Sequence, residues 1–294
     1  MPIHCLVRQC VFPMGKDARS TLRQLSMFKQ APKQALLPEE WDVLAAFGLK
    51  PYQQDEPLAI DSSKLLDDEL CLETLQKIMP ELGAPNLKVT ASLVIKRIAF
   101  IALAPVLYAM SGFDKGLDAS IENSVFEYPL ENKMWLSKMP LKTTAVSVWK
   151  GSDKEGRNAW RHEILSKVFS GHLTLLVEQF YRLTKVSRRI LWENVAVRVF
   201  SIYEQRILAS VIEEKRATAE ADYAYLLDKS TTALFGLNEN PLTVFYREKQ
   251  LTAISENPIR VRRTCCFYYQ ATEPPVYCGS CPLPLKKANS SLKK

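Results

Sequence analysis

Apolar positions spaced three and four apart predict a mainly helical chain. A short helix over Leu37 to Phe47 starts on Pro38-Glu39-Glu40, where a first-turn proline and carboxylates suit a helix start. Ser62 or Ser63 caps a second, from about Lys64 to Ile78, with Leu66, Leu70, Leu75 and Ile78 on one face and Cys71 in the core. Pro80 through Pro85 is expected to break it. From Thr90 to Met110 apolar residues cover most of the circumference, which predicts a central buried helix, kinked at Pro105 and stopped at Ser111-Gly112. Ala159 to Phe169 and, beyond Gly171, His172 to Leu183 follow as separate helices. Ser187 then caps a helix from Arg188 to about Glu213 carrying Leu191, Val195, Val199, Ile202 and Ile207. A last one spans Ala219 to Leu227. Ile121 to Pro129 and Thr144 to Trp149, rich in Val, Phe, Tyr and Trp, read as a small antiparallel sheet. The fold class is therefore mainly α with a minor antiparallel β component (α+β), ending in a cysteine-rich segment. The expected organisation is an N-terminal segment over 1–60, a helical body over 61–257, and a site-bearing segment with a basic tail over 258–294.

Composition narrows the class. The chain has 294 residues, 47% hydrophobic and 24% charged, ordinary for a globular protein with a sizeable core. The N-terminus has no continuous apolar stretch of signal-peptide type, and the longest apolar run, Ile98 to Met110, suits a buried helix better than a membrane span. A cytoplasmic location is expected, with no integral membrane segment; peripheral association stays open. The seven cysteines are too few and too uneven for a disulfide scaffold. Cys5 and Cys10 beside His4 match no common metal spacing, and His162 and His172 lack partners at ligand spacing.

No nucleotide-binding glycine loop, nucleophile elbow or metalloprotease motif is present. A redox protein of this kind must take electrons from a donor protein or a small reductant. In Leu191-Trp192-Glu193-Asn194, Trp192 and Asn194 cannot share one face. Core packing with a polar hydrogen bond is the simpler account, a groove-lining role the sharper one.

The specific chemistry lies near the C-terminus. Cys265-Cys266 and Cys278-Gly279-Ser280-Cys281 put four cysteines in 17 positions, a soft anionic donor set suited to an iron–sulfur cluster or to zinc. Gly279 is expected to free the C-x-x-C turn. The adjacent pair can reach one site only where the chain bends, which favours a target larger than one ion. The net charge of +7 concentrates here: from Ile259 onward Arg260, Arg262, Arg263, Lys286, Lys287, Lys293 and Lys294 face a single acid, Glu273. Four thiolates cancel much of that excess, so it is no argument for nucleic acid. Arg262 and Arg263 become counter-charges that favour a reduced cluster. The alternative is a zinc-stabilised interaction or nucleic-acid-binding protein using the same four cysteines. A bare electron carrier would need far less chain.

Arg263-Thr264-Cys265-Cys266-Phe267-Tyr268-Tyr269 with Tyr277-Cys278-Gly279-Ser280-Cys281-Pro282-Leu283 resembles the ferric-siderophore reductase (FhuF-like) family and its C-C-x10-C-x2-C motif. Ala91-Ser92-Leu93, Ala104 to Ala109, Glu122-Asn123-Ser124-Val125 and Leu191 to Ala196 extend the resemblance over roughly residues 60 to 285. That body is also similar to the C-terminal region of the IucA/IucC siderophore synthetases. The resemblance implies that Cys265, Cys266, Cys278 and Cys281 bind a [2Fe–2S] cluster, with no catalytic residue beyond it. It also implies one-electron reduction of siderophore-bound Fe(III), whose hard oxygen ligands hold Fe(II) far less tightly. One departure is visible: the gap between the cysteine pairs is eleven residues rather than ten.

Overall fold

In a computed structural model, residues 34–54, 56–252 and 255–285 are described. Cys5, Cys10, His4 and the tail lysines lie outside them. The helices and strands follow in the order α1 (Pro38–Ala46), β1 (Leu49–Pro51), β2 (Ala59–Asp61), α2 (Asp68–Leu82) and α3 (Leu87–Phe113). Six short strands come next, β3 (Lys115–Leu117), β4 (Val125–Glu127), β5 (Leu130–Glu131), β6 (Met134–Trp135), β7 (Met139–Leu141) and β8 (Val146–Val148). Four helices follow, α4 (Lys154–Val168), α5 (Thr174–Thr184), α6 (Arg188–Ile202) and α7 (Glu213–Leu227). The hairpin β9 (Gln250–Thr252) and β10 (Ser255–Ile259) leads into the cysteine segment. The fold is mainly α with minor β, as the pattern predicts.

Several boundaries differ from the sequence reading, each for a local reason. The α2 cap is Asp67, whose carboxylate accepts from Leu70 N–H at 2.9 Å; Ser62 to Leu66 forms a preceding 3-10 turn. Pro80 does not end α2. It sits in the last turn, where the one amide bond it removes leaves the earlier turns intact, and Gly83 (φ 65°) closes the helix in the left-handed conformation. Likewise α3 runs through Pro105, Ser111 and Gly112, and stops at Asp114, also left-handed (φ 52°). Asn86 caps its start by accepting from Val89 N–H at 3.1 Å.

Gly171 does not separate two helices. It lies in a π-helical turn, Phe169–Leu173, that joins α4 to α5. A second π turn, Tyr203–Ile207, extends α6, and the chain breaks at Val211, so the predicted helix to Glu213 ends at Ser210. Ser187 makes no side-chain cap bond.

The two predicted strands do not pair with each other. Among the described residues the strands form two-stranded pairs: β4 with β2 and β8 with β3, both antiparallel, and β1 with β7, parallel. Periodicity gives strand character but not the partner across long loops, here the flanks of α3.

The core is organised by α3, buried over most of its length and packed chiefly against α6. It is long and apolar enough to cross a membrane, but 83% of its most apolar window is buried inside the protein, as a core helix requires. Cys71 is fully buried, and burial pushes its thiol up to about 12. His172 is also fully buried; its Nδ1 lies 2.9 Å from the Ala119 carbonyl and its Nε2 has no partner.

Candidate iron–sulfur site

The Leu191-Trp192-Glu193-Asn194 string anchors the site. Trp192 turns into the core against Phe235. Asn194, with no exposed surface, donates to the carbonyl of Ser92 at 2.8 Å and to its Oγ at 2.9 Å, and accepts from Arg262 Nη2 at 2.7 Å. Ser92 Oγ in turn donates to the Cys266 carbonyl at 2.9 Å. Glu193, 2% exposed, accepts from the backbone N–H of Arg263 at 2.6 Å and of Thr264 at 2.7 Å, and from the Thr264 hydroxyl. A buried carboxylate is stable only when its oxygens are filled this way. Helices α3 and α6, packed together, thus hold the strand that delivers Cys265 and Cys266.

Directly after the adjacent pair the chain turns at Phe267, a non-glycine residue at φ 65°. Its N–H donates to Cys265 Sγ at 3.3 Å, a bond of the kind that stabilises thiolate. The eleven-residue gap folds into a loop that starts with a 3-10 turn, Tyr268–Gln270. Thr272 Oγ1 accepts from Val276 N–H at 2.7 Å, and Tyr269 stacks on Tyr277 with ring centroids 5.4 Å apart. In the second pair, Cys281 N–H donates to the Cys278 carbonyl at 2.9 Å, and the Ser280 carbonyl accepts from Arg262 N–H at 2.9 Å. Gly279 plays no special part in this turn: its φ lies outside the left-handed region, and a Cβ there would meet nothing within 4 Å.

All four sulfurs are free thiols. Cys266 and Cys281 are buried; Cys265 and Cys278 are partly open. Cys266 and Cys278 Sγ lie 3.7 Å apart, close to the edge of about 3.8 Å expected for two thiolates on one tetrahedral metal with bonds near 2.3 Å. Among the described residues, however, no three His, Cys, Asp or Glu side chains gather as the ligands of one ion would. Four cysteine sulfurs supplied by one segment are the all-thiolate donor set that a [2Fe–2S] cluster takes.

The charges around the sulfurs are uneven, and burial first of all pushes the Cys265 thiol up. Hydrogen bonding with the Cys278 thiol, and then Lys96 and Arg262, pull Cys266 down to about 5 against the cost of burial. The shared hydrogen bond with Cys266, and then burial, push Cys278 up. Arg262 is 3% exposed, and its Nε and Nη1 have no hydrogen-bond partner. Its nearest carboxylate, Glu193, is 3.7 Å from Nε. The Arg263 side chain, expected to serve the same end, is exposed. Burial lowers Lys96, and burial with the neighbouring Arg97, Arg206 and Arg262 lowers Arg198 to about 10.

These cations open onto a cleft of about 520 Å³ beside Cys278. One wall is a stripe of α6 and its π turn: Glu193, Val197, Ser201 and Glu204. The others come from Lys96 of α3, from β10 and from Arg260, with Gly279 and Ser280 of the C-x-x-C turn at one end. The sequence reading did not find Ser92, Glu193, Asn194, Lys96 or Arg198 as site residues. Their only signal was a polar string inside an otherwise apolar helix. His162 and His172 are remote in role: His162 Nδ1 pairs with the Tyr225 hydroxyl at 3.1 Å, and His172 is a core residue.

Among solved structures the chain is similar to the aerobactin synthetase IucC from a hypervirulent pathotype of Klebsiella pneumoniae, with 13% identity and a TM-score of 0.44. The match covers 64% of this chain and 37% of the synthetase, so the chain spans little more than a third of that protein. No curated protein matches. The family model described as FhuF 2Fe-2S C-terminal domain matches residues 262–283, which hold all four clustered cysteines, so the segment is a [2Fe–2S] domain. The model described as ferric iron reductase FhuF-like transporter matches residues 92–253, more than half of the chain, and the protein therefore belongs to the FhuF-like ferric iron reductase family.

Proposed function

We propose that the protein reduces siderophore-bound Fe(III) to Fe(II) in the cleft beside Cys278, through a [2Fe–2S] cluster held by Cys265, Cys266, Cys278 and Cys281. The observation that carries this reading is that a cation-lined cleft and the cysteine segment share a wall. When bound, the cluster supplies a single electron at a time. One electron enters from a one-electron donor, a protein or small reductant, and one leaves to Fe(III); no bond to the protein forms or breaks. The oxygen ligands of the chelate hold Fe(II) weakly, so the metal is released.

The chain's own residues set the conditions. Glu193, Asn194 and Ser92 fix the first cysteine pair against α3 and α6. Arg262 and Lys96 place positive charge beside the thiolates, which favours the more negative, reduced state. Partly open Cys265 and Cys278 leave short paths to the surface for electron entry and exit. Free thiols beside a reducible site suit the cytoplasm.

Anaerobically purified protein should hold two irons and two sulfides per chain and show a reduced-state EPR signal. Mixed with a ferric siderophore, the reduced protein should reoxidise while Fe(II) is trapped in step. One zinc per chain without iron absorption would overturn the cluster reading. Reoxidation unaffected by any siderophore would leave only an electron carrier.

A further inference from the structure

Charge is not evenly balanced around the cleft. Lys249 and Arg260 both pair with Glu204, at 2.7 and 2.9 Å. Arg262 faces Glu193 and Asn194. Lys96 and Arg198 are different. Thiols and arginines are the strongest charged influences on both side chains. Among the described residues neither forms an ion pair with a carboxylate, unlike Lys249 and Arg260. Among the described residues the Arg198 guanidinium makes one hydrogen bond, from Nε to the Lys96 carbonyl at 3.3 Å. Behind it, Arg97, Arg198 and Arg206 all lie over the Phe100 ring, 5.9, 5.5 and 5.1 Å from its centroid.

Like charges crowded into a half-buried wall repel and lose hydration, a standing cost that needs an offset. Cluster charge offsets part of it, chiefly at Lys96 and Arg262, which are nearest the thiolates. Arg198 shares the Phe100 ring with Arg97 and Arg206, and among the described residues none of the three pairs with a carboxylate, so an excess remains at the cleft wall.

Resting on the reductase reading, we infer that the cleft selects ferric chelates of net negative charge, with carboxylate or catecholate arms, and that Arg198 and Lys96 are the residues that set this preference. A tris-hydroxamate ferric complex is neutral and leaves the excess uncompensated. An anionic complex fills it with donors already oriented, and the planar guanidinium can grip a carboxylate at two points. Glu204 works in the opposite direction by occupying Lys249 and Arg260.

Binding is tested apart from electron transfer with gallium(III) analogues, which match Fe(III) in charge and size but accept no electron. Calorimetry on the cluster-loaded protein should show gallium citrate binding at least about tenfold tighter than gallium acetohydroxamate, with the difference shrinking as salt rises. Arg198→Gln and Lys96→Gln should each weaken gallium citrate about tenfold and gallium acetohydroxamate less than about twofold. Glu204→Gln should tighten gallium citrate, which keeps the test alive if either cation variant fails to fold. Equal affinity for both complexes, or equal loss in the variants, overturns the inference. The reductase reading is checked in parallel with the iron complexes. If the reduced protein is reoxidised by both at similar rates, the reading stands and the charge preference falls. If neither reoxidises it, both fall.

Discussion

Two charged regions of this molecule look alike in composition and differ in closure. At one end Asp222, with a fully buried side chain, takes Arg157 at 2.8 Å, Arg161 at 3.0 Å and Ser111 Oγ at 3.0 Å. Arg157 also reaches Asp114 at 2.6 Å, and Lys215 pairs with the same carboxylate. This ties α3, α4 and α7 together with each charge answered. At the other end Lys96 and Arg198 line the cleft beside Cys278, Arg97 and Arg206 share the Phe100 ring with Arg198, and among the described residues none of the four pairs with a carboxylate. The first arrangement holds helices in register. The second is complete only with an anion present. A cation cluster therefore reports on function through the charges it lacks.

The comparison can be broken at its strongest point first. Asp222→Ala leaves two arginines buried without their carboxylate and should cost about 3–5 kcal/mol, read as a lower urea midpoint for the whole protein. The buried His172 gives the next effect. Its pKa is pushed down to about 4 by burial, and a proton on Nε2 would find no acceptor. Folded pKa lies below the unfolded value of about 6.5, so the neutral ring's contribution is intact above that pH. It is lost between about 6.5 and 4, by about 3 kcal/mol in all. The wild type should lose that much more stability over this window than His172→Leu; parallel profiles would contradict the assignment.

Glu193→Gln tests the anchor of the cysteine segment. An amide cannot accept at both oxygens, so one of the Arg263 and Thr264 N–H groups loses its partner, at about 2 kcal/mol. Helical circular dichroism should survive while bound iron and sulfide per chain fall. Retention of full iron content would show that the anchor is not needed. The smallest effect belongs to the open cluster: Arg198→Gln relieves repulsion from Arg97, Arg206 and Arg262, so stability should stay level or rise by up to about 1 kcal/mol. A large loss there would mean that Arg198 is structural, like its counterparts around Asp222.

Much of the fold was legible because it follows from local periodicity. The apolar circumference of residues 90 to 110 marked α3 as the buried axis, and Cys265, Cys266, Cys278 and Cys281 marked the site. Boundaries failed where a helix ran on past an expected breaker, as at Pro80 and Gly112, or where a π turn carried the chain on, as at Gly171. Net charge placed the positive excess in the last stretch of chain. It could not show that Lys96 and Arg198, balanced by acids elsewhere in the body, stand beside the same thiolates.

What the sequence determined by itself was the donor set and the helical frame, since ligand chemistry and amphipathic period are properties of neighbouring residues. What only the tertiary structure decided was who serves the donors. Ser92, Asn194 and Arg262 meet across 102 and 68 residues of chain, and the left-handed turn of the segment lies at Phe267 rather than at Gly279. Buried polar groups must find partners wherever packing brings them, and packing, unlike spacing, is set by the whole core.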